Sequence, residues 1–120
     1  MDVTVAICTW NRAKLLDATL AQMCKLRIPS GITWELLVVD NNCTDDTPAV
    51  VERYADRLPV RRLDEKNQGM SYARNCAQRA AAADLLLWTD DDVLVDEDWL
   101  AAYVRAAARW PNAGYFGGLI

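Results

Sequence analysis

The chain has 120 residues, of which 52% are hydrophobic and 25% charged, with a formal net charge of -4 at pH 7 and no histidine. This length suits one domain or part of one, and the composition is that of an ordinary globular protein. The acidic charge argues against a nucleic-acid-binding protein, and the absence of histidine excludes Ser-His-Asp, Cys-His and imidazole-metal sites within these residues.

Neither the start of the chain nor its apolar runs predict a secreted or membrane-spanning protein. Residues 1–2 do not open a signal peptide, and no apolar stretch approaches the roughly 18 to 20 residues that a membrane span needs. We therefore expect a cytoplasmic protein, or one held at the inner face of a membrane by other segments. The four cysteines are scattered without any paired spacing, which predicts buried free thiols at Cys8, Cys24, Cys43 and Cys76.

The first half of the chain alternates apolar runs with helical periods. Residues 3–8 predict strand one, and apolar residues at helical spacing up to Leu26 predict the helix that follows. Residues 33–39 predict strand two. A second helix is expected next, with Thr44 or Thr47 as its cap and Pro48 in its first turn. Its apolar face is formed by Val51, Tyr54, Ala55 and Leu58.

The second half repeats the alternation twice. Residues 60–63 predict strand three, and a helix with a face of small residues follows Gly69. The apolar run 85–88 predicts a fourth strand buried on both faces, and the acidic residues 96–98 suit the start of a fourth helix. Residues 114–120 resemble the beginning of a fifth strand. This order predicts an α/β fold, with a parallel, Rossmann-like sheet and helices on both faces.

Three consecutive aspartates, 90–92, follow the fourth predicted strand. Adjacent carboxylates repel one another, so a fold gains little by collecting them unless a cation sits among them. Polar residues also follow the other strands, at 9–12, 40–42 and 64–69. Taken singly, each run has a structural explanation as a cap, a turn or a solvated loop. Because the carboxyl ends of parallel strands meet at one rim, their coincidence predicts a ligand site there.

Four segments carry a resemblance to a known family, in this order: 7–12, 38–47, 67–75 and 90–92. Together they resemble the N-terminal half of family 2 glycosyltransferases with the GT-A fold. The similarity covers essentially the whole chain. It implies that residues 1–120 are the nucleotide-sugar-binding N-terminal part of a GT-A domain whose acceptor-binding half is absent. Cys43 departs from the family, which usually has serine there.

The resemblance implies a nucleotide pocket built from several strand ends. Thr9 and Asn11 match the turn that lines the pocket. Asp40 matches the aspartate that accepts a hydrogen bond from the imide N–H of uracil, or from the equivalent edge of another base. Arg74 matches a cation on the nucleotide side of the cleft, and Asp91 would contact the ribose hydroxyls.

The resemblance also implies a metal and a reaction. Asp92 would bind Mg²⁺ or Mn²⁺ on the diphosphate, and both hard cations prefer carboxylate oxygen. The implied reaction is metal-dependent, inverting transfer of a sugar from a nucleotide sugar, with UDP-sugars favoured, to an unknown sugar, lipid or other hydroxyl acceptor. The implied catalytic base lies beyond residue 120. We therefore expect this chain to bind nucleotide and metal without catalysing transfer, and to self-associate through an open sheet edge.

Three other functions fit parts of the pattern. A sugar nucleotidyltransferase is also α/β and metal-dependent, but its glycine-rich loop is not found in residues 9–12. A phospho-receiver module would carry its acidic residues after strands one and three, whereas here they follow strands two and four. A non-catalytic nucleotide-binding module remains open as well.

Overall fold

The structure, a computed structural model, describes residues 1–115 and residue 117. Strands and helices alternate as the sequence predicts. Their order is β1 (Val3–Thr9), α1 (Ala13–Met23), β2 (Trp34–Asp40), α2 (Thr47–Glu52), β3 (Val60–Asp64), α3 (Met70–Ala80), β4 (Leu85–Asp90) and α4 (Trp99–Arg109).

The four strands form one parallel sheet in the order β3-β2-β1-β4. The chain builds outwards from β1 to β3 and then crosses to the opposite side of β1, so the topological switch lies between β1 and β4. The register pairs Thr9 with Asp40 and Cys8 with Asp90, which aligns the carboxyl ends of β1, β2 and β4. Open α/β sheets bind ligands outside the strand ends at such a switch point.

Successive side chains of a strand point to opposite faces of the sheet, so each face carries its own hydrophobic core. Val5 and Ile7 of β1 pack with buried residues of α1, α2 and α4 on one face. Ala6 of β1 and Val39 of β2 pack on the other face against α3, whose buried residues are Ala73 and Ala77. The predicted α/β class with helices on both faces is therefore confirmed, and the small face of α3 does lie on the sheet.

The second helix is shorter than predicted. The helix α2 ends at Glu52, and turns replace the expected helical residues that follow it. Tyr54 and Leu58 are buried all the same, because they belong to the hydrophobic core; there the Tyr54 hydroxyl donates to Asp17 and the Leu58 N–H donates to the Tyr54 carbonyl. Pro59 prevents a helix from continuing through Leu58, because the residue before a proline is disfavoured in helical backbone.

The cysteine prediction is partly wrong. All four thiols are free, but Cys24 is exposed and the other three are half-buried rather than buried. Cys24 follows the last residue of α1, where the helix ends at the surface. Of the predicted fifth strand, residues 116 and 118–120 lie outside the described residues, and the described Tyr115 is not in a strand. In the part of the chain that is described, no helix is long and apolar enough to cross a membrane.

Asp45, rather than Thr44 or Thr47, satisfies the start of two helices. Its Oδ2 accepts the backbone N–H of Ala13, the first residue of α1, at 3.0 Å. Its Oδ1 accepts the N–H of Thr47, the first residue of α2, at 3.2 Å and the Thr47 hydroxyl at 2.6 Å. The carboxylate reaches both helices because α1 and α2 start at the same rim, which local sequence patterns do not reveal.

Replacing Asp45 by alanine should lower the free energy of unfolding by about 1 to 3 kcal/mol at pH 7, since two helix starts lose an acceptor. Burial raises the pKa of Asp45, but the hydrogen bonds from Thr47 and Ala13 lower it by more, so the folded pKa lies below its ordinary value. The stabilisation is therefore present above the unfolded pKa of about 4 and lost as the pH falls through the folded pKa.

Urea unfolding of the wild type and the variant, from pH 7 down to acid, measures this difference. Asp46→Ala is the matched control, because Asp46 precedes α2 directly and its side chain makes no capping hydrogen bond. An equal loss of stability in both variants would contradict the double-capping role of Asp45.

Candidate functional site

A cavity of about 440 Å³ opens at the carboxyl ends of β1 and β4 and is closed on its other side by the start of α3. This size suits a small-molecule ligand. Polar groups converge on it from four successive loops, as the strand-end pattern predicts. Its lining residues are Cys8, Thr9, Trp10, Arg12, Asn41, Gln68, Gly69, Met70, Ala73, Asp90, Asp91 and Asp92.

Asp91 is the fixed member of the aspartate triplet. Asp91 is 5% exposed, and its Oδ2 accepts a hydrogen bond from the buried Thr9 hydroxyl at 2.8 Å. The Thr19 hydroxyl of α1 donates to the Asp91 carbonyl, also at 2.8 Å. Two threonines therefore hold the side chain and the backbone of Asp91 from β1 and α1. This anchoring sets the orientation of the whole triplet at the rim.

The outer members of the triplet are accessible. Asp90 and Asp92 are exposed, whereas Asp91 between them is buried. The Nη1 atom of Arg12 lies 3.3 Å from Asp91 Oδ1 and 3.3 Å from Asp92 Oδ2. Arg12 thus balances part of the negative charge that makes such a cluster costly. Its place after strand one was evident from the sequence, but its contact with residues 80 positions away was not.

Asn41 organises the opposite wall and was missed as a site residue. Its side chain donates to the carbonyls of Glu65 and Asn67 at 3.2 and 2.9 Å and accepts the N–H of Gly69 at 2.9 Å. This amide holds the loop that leads into α3. Gly69 has φ +140, a conformation that L side chains rarely adopt, and a Cβ there would lie 3.4 Å from the Tyr72 ring. The hydrogen bonds of its side-chain amide explain the asparagine at position 41, and the positive φ explains the glycine at position 69.

Asp40 and Asn11 do not line the cavity. The Asp40 side chain is 4% exposed, and its carboxylate accepts the Cys43 N–H at 3.0 Å and Arg62 Nη1 at 2.9 Å. Asn11 has φ 51, and its side chain accepts the N–H of Thr44 at 2.7 Å. Asp40 therefore ties the end of β2 to its own loop and to β3. Asn11 joins the loops that follow β1 and β2, and it does not cap α1.

Arg74 is exposed on α3 and is also absent from the cavity lining. Its charge nevertheless acts on Cys8, which lines the cavity. Burial raises the pKa of the Cys8 thiol to about 11, and the positive charge of Arg74 partly opposes that rise. The thiol therefore stays protonated at neutral pH. Of the predicted site residues, the structure brings Thr9, Asp91 and Asp92 together in one cavity and leaves Asn11, Asp40 and Arg74 around it.

The carboxylates at the cavity are the candidate donors for a divalent cation. No group of three His, Cys, Asp or Glu side chains within the described residues is arranged to hold a metal ion. The Asp92 side chain is 44% exposed at the cavity and offers oxygen donors. Mg²⁺ is usually held by one or two carboxylates together with substrate phosphates, not by a protein cage. The residues present fit a cation that arrives with a diphosphate.

The sheet order, with its switch point at the strand ends that line the cavity, defines an open α/β fold with helices on both faces. The model of the family Glycosyl transferase family 2 matches residues 4–120, and the chain belongs to this family. Validoxylamine A glucosyltransferase of Streptomyces hygroscopicus subsp. jinggangensis is 34% identical over 88% of this chain and 25% of its own length. Succinoglycan biosynthesis protein ExoM of Rhizobium meliloti is 26% identical over 98% of this chain and 38% of its own.

Solved structures show the same fold. Staphylococcus aureus TarS 1-349 in complex with UDP has a TM-score of 0.82 at 25% identity, covering 91% of this chain and 33% of that one. Mannosyltransferase PcManGT from Pyrobaculum calidifontis, in complex with GDP-Man and Mn²⁺, has a TM-score of 0.77 at 32% identity, covering 96% and 33%. The predicted family and the predicted GT-A type of α/β fold are confirmed. The chain spans between a quarter and two fifths of these relatives.

Proposed function

We propose that this chain is the nucleotide-sugar-binding part of a metal-dependent, inverting glycosyltransferase. The observation that carries the proposal is the aspartate triplet, which Thr9 and Thr19 fix at the switch point between β1 and β4, facing the start of α3 across the cavity. Family membership favours glycosyl transfer over nucleotidyl transfer. The acceptor and its binding half belong to a longer protein in this proposal.

In this proposal, different residues around the cavity bind different parts of the nucleotide. Asp91, already oriented by Thr9, keeps acceptor capacity for the ribose hydroxyls. Asp40 uses one lone pair of each oxygen internally, which leaves others for an imide N–H of a base that reaches the β2 end. Asn11 shapes the turn beside this pocket, and Arg74 adds positive charge on the α3 side.

Asp92 is the residue we assign to Mg²⁺ or Mn²⁺. When bound, the cation would stabilise the charge that develops on the leaving diphosphate. The TarS complexes with UDP and UDP-GlcNAc and the PcManGT complex with GDP-Man and Mn²⁺ support a nucleotide sugar and a divalent cation as ligands. In this chain Asp92 offers an exposed carboxylate, and its neighbour Asp91, whose backbone carbonyl accepts the Thr19 hydroxyl, keeps that carboxylate at the rim.

The proposed chemistry is a single displacement. An acceptor hydroxyl oxygen bonds to the anomeric carbon as the bond from that carbon to the diphosphate oxygen breaks, and the electron pair leaves with the diphosphate. The hydroxyl proton passes to a carboxylate that we place outside residues 1–120. Attack from the face opposite the leaving group inverts the anomeric carbon.

Calorimetry against UDP, GDP and ADP, each with and without Mn²⁺, tests the nucleotide site. We expect UDP to bind more tightly than either purine nucleotide, because a single buried carboxylate at Asp40 suits a small pyrimidine ring. Equal or tighter binding of GDP would remove the base assignment. Failure of all three nucleotides to bind would remove the proposed function.

We also propose that residues 1–120 self-associate. Among the described residues β4 is an edge strand, and a second cavity of about 570 Å³ beside it is lined by aromatic side chains that include Trp88, Trp99, Tyr103 and Trp110. An open edge next to exposed apolar surface favours pairing with a second copy. Light scattering over a range of concentrations should show a mass that rises above one chain. A monomer at high concentration would contradict the proposal.

A further inference from the structure

Arg12 occupies an unusual position for a half-exposed arginine. It lies at the junction of β1 and α1, and a single nitrogen, Nη1, contacts the carboxylates of both Asp91 and Asp92 at 3.3 Å. Asp91 cannot turn away from this contact, since Thr9 and Thr19 hold it. Asp92 is free to do so, because its side chain is 44% exposed and its one ion pair in the described structure is with Arg12.

The charges around this contact explain why a cation is found there. Three carboxylates follow one another at 90–92, and among the described ion pairs Arg12 is the only basic residue that touches them. Cys8, which lines the same cavity, is neutral and supplies no charge of either sign. Without Arg12 the triplet would carry uncompensated repulsion between neighbouring carboxylates.

We propose that Arg12 offsets part of the negative charge of Asp91 and Asp92 in the nucleotide-free protein. It releases Asp92 when a divalent cation arrives with a nucleoside diphosphate, whose phosphate oxygens then accept hydrogen bonds from the guanidinium. The inference rests on the proposed function. Arg12 is thus a positioning residue that makes the metal and the nucleotide bind together, since a metal alone must displace the guanidinium without offering it a new partner.

This competition has a reciprocal consequence. If UDP strengthens Mn²⁺ binding by giving Arg12 a partner, Mn²⁺ must strengthen UDP binding by the same factor. The coupling between Mn²⁺ binding and UDP binding therefore depends on Arg12 as well as on direct contacts between the cation and the phosphates. Removing the guanidinium should raise the affinity for the metal alone, whereas loss of a merely structural residue would lower it.

The test compares Arg12→Gln with the wild type by electron paramagnetic resonance of Mn²⁺, first without nucleotide and then with saturating UDP. Arg27→Gln is the matched control. Arg27 also bridges two carboxylates, Glu97 at 2.8 Å and Asp98 at 3.1 Å, but it lies outside the cavity lining. Its substitution therefore removes the same positive charge at a place away from the cavity.

Arg12→Gln should bind Mn²⁺ alone roughly tenfold more tightly or better, because an adjacent opposing cation is lost. Its ratio of Mn²⁺ dissociation constants without and with UDP should fall towards one, and Arg27→Gln should behave as the wild type. Unchanged or weaker Mn²⁺ binding by Arg12→Gln would overturn the inference. If UDP fails to bind any of the proteins, the proposed function fails, while the comparison with Mn²⁺ alone still decides the role of Arg12.

Discussion

Substituting Asp92 by alanine is expected to abolish the dependence of UDP binding on Mn²⁺. The exposed carboxylate of Asp92 is the one assigned to the cation, and without it the metal is held only by phosphates and water. The gain in UDP affinity on adding Mn²⁺ should fall by at least roughly 10- to 100-fold, the range found when the shell around a metal is disrupted. Calorimetry with and without Mn²⁺ measures that gain directly.

Asp96→Ala separates the metal ligand from the acidic residues of the helix start. Asp96 accepts the N–H of Asp98 at 2.8 Å just before α4 and lies outside the cavity lining. Its loss should cost only a few tenths to about 1 kcal/mol of stability. If both substitutions lower the Mn²⁺-dependent affinity equally, the division between ligand and helix start is wrong.

Residues 1–120 alone should transfer no sugar. Asp91 and Asp92 are committed to the nucleotide and the metal in our proposal, while Asp98 pairs with Arg27 at the start of α4. General-base help is typically worth roughly 10² to 10⁴ in rate, and without an acceptor site the gain from positioning two reactants is lost as well. Transfer should be indistinguishable from the uncatalysed background in a labelled-sugar assay.

Binding of UDP by the same preparation is the control for this result, since it shows that the protein is folded and its site intact. Turnover of a nucleotide sugar onto an added acceptor by residues 1–120 would show that the catalytic base lies within them. Asp90 would then be the first carboxylate to examine, because it is exposed at the cavity.

The sheet and the position of the site followed from the sequence because they rest on repeated local patterns. Three apolar runs and the short segment 60–63, separated by helical periods, predict parallel strands, and each of the four ends in polar residues. The parallel arrangement then brings Thr9 and Asp91 to one rim, where the structure joins them by a hydrogen bond of 2.8 Å. No long-range information was needed for this step.

The details that were missed depend on contacts between loops far apart in the chain. Asp45 reaches α1 across 32 positions, Asn41 fixes a loop 24 to 28 positions away, and Arg12 meets Asp92 across 80. Each of these residue types is common in turns and caps, so the local sequence does not predict its distant hydrogen-bond or ion-pair partner. The burial of Asp40 against Arg62 is a further case, since strand pairing sets it.

Our central claim is that the cavity between β1, β4 and α3 holds a nucleoside diphosphate with a divalent cation at Asp92. Crystals grown with UDP and Mn²⁺, measured near the manganese absorption edge, test it most directly. The account predicts an anomalous peak at coordination distance from an Asp92 carboxylate oxygen, with UDP in the cavity beside Thr9 and Asp91. A manganese peak away from the triplet, or UDP bound outside this cavity, would contradict it.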